Sequence, residues 1–154
     1  MRRQSGFTLA ELMVVIAIIA LLTSVAVPNF LSWLPKYRLK SAADELFTNL
    51  NLAKLTAVRN GEPCAVSFTA NGYTIDSLGR TINLADYGSG VTFALPPGET
   101  GSAFPSSITF DTRGLSSTWA AAYLSNGAHT GYFKIGTLIT GVVRIQKWSN
   151  GTWH

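Results

Sequence analysis

The chain is poor in the residues that build chemical centres. Its 154 residues include one cysteine, Cys64, and two histidines, His129 and His154. A single cysteine excludes an intrachain disulfide framework and a zinc site made of several thiolates, and two histidines leave little material for any other metal. Charge is scarce as well: 13% of residues are charged and 47% are apolar, which excludes a disordered chain. The 14 glycines and 6 prolines are ordinary for a globular domain and exclude a low-complexity or collagen-like one. There is no G-x-G-x-x-G, no Walker-type phosphate loop, no calcium-loop motif and no nucleophile elbow. The expectation is a protein without cofactor or metal that is not an enzyme. The formal charge of +4 is mild, and half of it is Arg2 and Arg3, so it argues only weakly for a nucleic-acid partner.

What is present is concentrated at the N-terminus. Phe7 to Val27 reads FTLAELMVVIAIIALLTSVAV and carries one charge, Glu11. A helix of that length rises roughly 31 Å, enough for a bilayer core. The flank before it holds Arg2 and Arg3 and no acid, which places the N-terminus in the cytoplasm and everything after Pro28 across the membrane. A cleaved secretory signal ending near Ser24-Val25-Ala26 and a plain signal anchor both fit an apolar run. Neither accounts for Glu11, a carboxylate one turn into the run, where a charge is a functional candidate.

Gly6-Phe7-Thr8-Leu9-Ala10-Glu11-Leu12 resembles the prepilin processing motif of type IV pilins and type II secretion pseudopilins. The resemblance implies that a prepilin peptidase cuts between Gly6 and Phe7, that Phe7 is then N-methylated, and that Glu11 is the family's assembly glutamate. In such filaments the apolar helices leave lipid and pack together. The new amine at Phe7 and the Glu11 carboxylate of a neighbouring subunit would then form a pair that sets register, since either charge left alone in that core is costly.

Pro28 and Pro35 each remove a backbone donor, so a kink or local break is expected over 29–34. Within the resemblance, Pro28 matches the kink position of many pilins. From Lys36 the pattern is amphipathic: Leu39, Ala43, Leu46, Leu50, Ala53 and Ala57 fall on one helical stripe. Lys36, Arg38, Lys40, Asp44, Glu45, Asn49 and Lys54 lie mostly off it. Gly61 supplies a C-cap and Pro63 a stop. One helix over about 8–60 is predicted, with its stripe covered by core packing.

After Pro63 the period changes to two. Cys64, Val66 and Phe68 alternate with smaller or polar neighbours, and Asn71-Gly72 and Asn126-Gly127 are hairpin signals. Strands are expected at 80–87, 90–95, 107–111, 118–125, 132–138 and 141–148, with a loop at 95–106. About eight short strands without further helix suggest antiparallel sheets packed on the stripe. Cys64 reads as a small buried residue, His129 as a loop residue and His154 as a mobile terminus. The segment Ile108-Thr109-Phe110-Asp111-Thr112-Arg113-Gly114-Leu115, with the long helix and the all-β domain, is similar to the GspH/FimT-type minor pseudopilins. Asp111 is expected to cap its turn, with Arg113 either solvated or paired with Asp111.

The last 21 residues hold Lys134, Arg144, Lys147, Trp148, Trp153 and His154 and no acid. Cations and stacking rings suit nucleic acid. Some members of the resembled family bind DNA through a Gly-Arg-x-Arg motif. Here the stretch is Gly141-Val142-Val143-Arg144, so only Arg144 matches.

These observations predict an α+β, pilin-like fold: a long N-terminal helix, transmembrane in its first half and amphipathic in its second, packed on an antiparallel β domain. The expected divisions are a cleaved leader at 1–6, a transmembrane and filament-core helix at 7–28, an amphipathic helix at 29–61 and a β domain at 62–154. The resemblance implies a minor pilin or pseudopilin of a type II secretion pseudopilus or type IV pilus. It would be a single-pass inner-membrane protein with a periplasmic domain, and its partners would be other pilins and the prepilin peptidase. The alternative is a minor pilin that captures DNA for transformation through Lys134, Arg144 and Lys147.

Overall fold

The computed structural model describes residues 8–88 and 90–154. They fall into two units, the first ending at Leu34 and the second running Pro35–His154. A single helix, α1 (Leu9–Asn60), supplies nearly all of the first unit and the N-terminal part of the second.

In the first unit the side chains from Thr8 to Trp33 are all exposed. Helical assignment runs through Pro28 and Pro35 without interruption, so the local break expected over 29–34 is not present. A proline removes one ladder bond, whereas ending a helix leaves several backbone groups unpaired on each side. Continuing is therefore the smaller loss. Hydroxyls in this stretch turn back onto the backbone: Thr23 donates to the Ile19 carbonyl at 2.9 Å, Ser24 to Leu21 at 2.7 Å and Ser32 to Asn29 at 2.8 Å. This inward bonding satisfies the three hydroxyls on an otherwise apolar surface.

The second unit is the α+β arrangement expected. Residues 35–60 of α1 are followed by β1 (Cys64–Thr69), β2 (Gly72–Ile75), β3 (Arg80–Asn83), β4 (Thr92–Phe93), β5 (Ser107–Phe110), β6 (Ala120–Ser125), β7 (Tyr132–Thr137), β8 (Val143–Ser149) and β9 (Thr152–Trp153). Two antiparallel sheets result, ordered β3-β2-β1-β5 and β4-β6-β7-β8-β9. All six stripe residues, Leu39, Ala43, Leu46, Leu50, Ala53 and Ala57, are buried. They share one core with Val66, Ile75, Ile108 and Phe110 of the first sheet and Ala122, Leu124 and Ile135 of the second. Each leucine so placed stabilises the domain by about 1.5–3 kcal/mol. The alanines let the sheets approach the helix closely.

Polar bonds fix how the helix sits. Asn49 is buried, not solvated, and its amide donates to the Tyr73 hydroxyl at 2.8 Å. Burial pushes the Tyr73 hydroxyl up to about 12, with the Asn49 bond opposing that rise. Tyr87 donates to Glu45 at 2.6 Å and Arg80 donates to the same carboxylate at 3.1 Å. Desolvation and the bond to Glu45 both raise the Tyr87 hydroxyl. Toward the other end, the Lys54 ammonium donates to the Gly141 carbonyl at 2.9 Å, under the β7–β8 turn.

Gly61 takes φ +69° and its amide bonds to Ala57, so the helix ends as expected. Gly141, at φ +72°, lies against the Gly114 carbonyl so closely that a Cβ would strike it. Four local details depart from the sequence reading. Leu84–Tyr87 forms a 3₁₀ turn in place of the end of a strand. The first hairpin turns over Ala70-Asn71, and Gly72 is already paired with Thr69. The second bends through a longer loop, 126–131, organised by the Asn126 side chain, which accepts from the Thr130 and Gly131 amides. His154 is not loose: its amide and carbonyl both pair with Lys147, completing β9.

Candidate functional site

Gly6 and Phe7, the residues on which the processing motif turns, lie outside the described residues. The next part of the motif is described. Thr8 caps α1: its hydroxyl accepts from the Glu11 amide at 3.2 Å and its carbonyl accepts from Leu12 at 3.2 Å. Thr8-Leu9-Ala10-Glu11 has the spacing of a capping box, a signal the sequence reading passed over. Glu11 thus stands in the first turn, where the helix dipole favours a negative charge. On the same helix face, one and two turns on, lie exposed Val14, Val15 and Ile18. The arrangement is an anion held at the start of an uncovered apolar helix, able to meet a cation brought by another molecule. Pro28 lies within the helix, and the hydrogen-bonding hydroxyls of Thr23, Ser24 and Ser32 flank it.

This helix is long and apolar enough to cross a membrane, and none of its most apolar stretch is buried within the chain. A core helix of a soluble domain would have that surface covered.

The basic tail is divided by the pleat. Lys134 pairs with Gln146 across β7 and β8, and Gly136 pairs with Arg144, so both cations point to the outward face of the second sheet. Lys147 pairs with Phe133 and therefore belongs to the opposite face. The three basic residues expected to act together do not share a surface. The Lys134 ammonium lies against three rings, 5.3 Å from Trp119, 5.5 Å from Tyr123 and 5.6 Å from Trp153. The Trp153 indole N–H donates to Glu99 at 2.9 Å.

The remaining candidates are structural. Asp111 accepts from the Arg113 and Leu115 amides at 2.8 and 2.9 Å and pairs with the Arg113 guanidinium at 3.0 Å. The Leu115 amide, followed by Arg113, holds its carboxyl below the usual carboxylate range. Cys64 is buried at the start of β1. His129 sits in the β6–β7 loop, bonded through Nδ1 to Ser125 at 3.2 Å. Among the described residues no three His, Cys, Asp or Glu side chains gather as metal ligands would.

Two family models match the chain. The prokaryotic N-terminal methylation motif covers residues 1–27, and the type II transport protein GspH covers residues 42–141. Among known proteins, the type IV major fimbrial protein FimA of Dichelobacter nodosus is 31% identical over 101 residues, 60% of this chain and 64% of that one. A fimbrial protein of Pseudomonas aeruginosa is 33% identical over 90 residues, 58% of this chain and 57% of its own. The prepilin peptidase-dependent protein D of Escherichia coli K12 is 31% identical over 91 residues, 59% and 62% respectively. The chain spans less than two thirds of the length of each of these relatives. No solved structure matches. These matches give the DNA-capture alternative no support, and the separation of Lys147 from Lys134 and Arg144 removes the shared surface on which it was built.

Proposed function

The chain belongs to the type II transport protein GspH family, and from that membership we propose that it is a minor pilin or pseudopilin, a structural subunit assembled through its N-terminal helix. The filament is a type II secretion pseudopilus or a type IV pilus. The observation that carries this reading is an exposed apolar helix opening on Glu11 within a methylation motif. The three relatives named above, two fimbrial proteins and a prepilin peptidase-dependent protein, point the same way.

The sequence of events follows from the chemistry. The helix first lies in the inner membrane, with the N-terminus in the cytoplasm and residues 35–154 in the periplasm. The prepilin peptidase cleaves after Gly6 and Phe7 is methylated, leaving a cationic secondary amine. Extraction from lipid exposes the apolar helix to others of its kind, which cover it. The amine of the incoming subunit meets Glu11 of one already in place. In the dry filament core either charge alone is strongly unfavourable, so the pair selects one axial register. Pro28 bends the helix without interrupting it, which adjusts the path of the stem within the bundle.

Intact mass after co-expression with the peptidase tests processing: loss of Met1 to Gly6 and gain of one methyl group is expected. A chain that retains Arg2 and Arg3 refutes the reading. Glu11→Ala is expected to be processed normally and to enter filaments at least about a hundredfold less, since an unpartnered buried amine costs several kcal/mol. Equal incorporation would remove Glu11 from the assembly step.

A further inference from the structure

The outward face of the second sheet carries a constructed hollow that filament assembly through the helix does not use. Its floor is Ala121 of β6 and Gly136 of β7, directly paired. Its walls are Trp119, Lys134, Arg144 and Gln146, and it encloses about 170 Å³. Gly136 keeps the floor low, since a Cβ there would meet the Ala120 carbonyl and the Ala121 methyl. Trp119 is 60% exposed, a large indole face left open beside a cavity.

One of the two cations is held in place and the other is open. Lys134 is positioned by the rings of Trp119, Tyr123 and Trp153, and Trp153 is itself fixed by Glu99 and by an edge contact with Trp148 at 4.9 Å. The Arg144 side chain is exposed and forms no ion pair or hydrogen bond with the described residues. No acid lines the hollow. An ammonium, a guanidinium and the Gln146 amide around a small depression suit a carboxylate. The adjoining indole face suits the C–H face of a saturated ring. The exposed ring of Trp119 and the half-buried rings of Trp153 and Trp148 lie on the same sheet face, which suits a ligand that repeats.

We infer that this face binds an acidic polysaccharide, seating a uronic-acid carboxylate between Lys134 and Arg144 with its sugar ring against Trp119. A nucleic-acid strand would need a track of cations for successive phosphates, and the third basic residue of the region, Lys147, faces away. An acidic peptide supplies the carboxylate and no rigid apolar ring face for the indole. The hollow is too small for a drug-sized ligand and matches one ring edge of a longer chain.

The full chain in detergent is titrated with oligogalacturonate while tryptophan fluorescence is read. Saturable quenching that weakens with salt is expected. Methyl-esterification of the oligomer, Trp119→Ala and Arg144→Gln are each expected to weaken binding about tenfold, as loss of a central contact does. Unchanged melting temperatures for both variants would show that folding is intact. Absence of saturable quenching, equal binding by both variants, or equal binding of polyglutamate or a single-stranded oligonucleotide would overturn the proposal. Because neither side chain lies on α1, both variants are expected to enter filaments normally. A filament defect in Glu11→Ala with intact sugar binding, or the reverse, tells failure of one reading from failure of the other.

Discussion

The two halves of one helix use apolar residues for opposite ends. In residues 9–33 leucine, isoleucine and valine surround the axis and none is covered. In residues 39–57 a stripe of three leucines and three alanines is sealed by two sheets, while Leu55 stays exposed off that stripe. The difference teaches that hydrophobicity alone does not define a core. Periodicity decides: a striped helix finds its partner in its own chain, while one apolar all round needs lipid or other helices.

The sharpest way to break this comparison is to put a charge in each half. Leu46→Asp buries a carboxylate without a partner, and the penalty matches the whole stability of a domain. Loss of cooperative melting is expected. Ile18→Asp is expected to leave the melting of residues 35–154 unchanged while preventing membrane insertion; if both variants melt alike, the division of labour is wrong. Truncation is milder. Leu50→Ala is expected to cost about 3 kcal/mol by denaturant unfolding, against no measurable change for Ile16→Ala.

Polar bonds sharpen it further. Asn49→Ala strands the buried Tyr73 hydroxyl and is expected to cost about 2 kcal/mol. Adding Tyr73→Phe should recover part of that loss, and no recovery would mean that the two side chains are not coupled. The same pair makes the domain base-sensitive. Tyr73 is held protonated to about pH 12 in the folded chain and ionises near 10 when unfolded. The folded state therefore binds more protons between those values, so stability is full below pH 10 and falls as pH rises from 10 toward 12. Melting temperatures across that range should fall less steeply in Tyr73→Phe. The smallest effect is expected for Arg80→Ala. It removes a half-exposed ion pair with Glu45 and should cost no more than about 0.5 kcal/mol.

The stripe was legible because spacing is a local property: the six positions read from the pattern are the ones the sheets cover. Asn49 was misread because its identity is polar and its partner, Tyr73, is 24 residues away, a contact that periodicity does not carry. His154 was misread for a similar reason, since a two-residue strand has no pattern and exists only through its pairing with Lys147. The prolines misled in the other direction: their local preference to end a helix was outweighed by the ladder on both sides. At the site, the Thr8–Glu11 spacing was available and unused. The division of Lys134 and Arg144 from Lys147 needed the register of β7 and β8, although alternation within 144–147 already hinted at it. The ring cluster around Lys134 joins residues from three strands and a loop, and sequence distance hides it.

The meeting of Gly114 with Gly141, closed over by Lys54, has a practical side. Two turns that touch through bare backbone leave no slack, so a single extra residue in either would lever both off the helix. Anyone wishing to follow this subunit in living cells should place the label elsewhere, and the exposed stretch Thr100-Gly101-Ser102 offers room. A tag inserted at 140–142 would report on its own disruption.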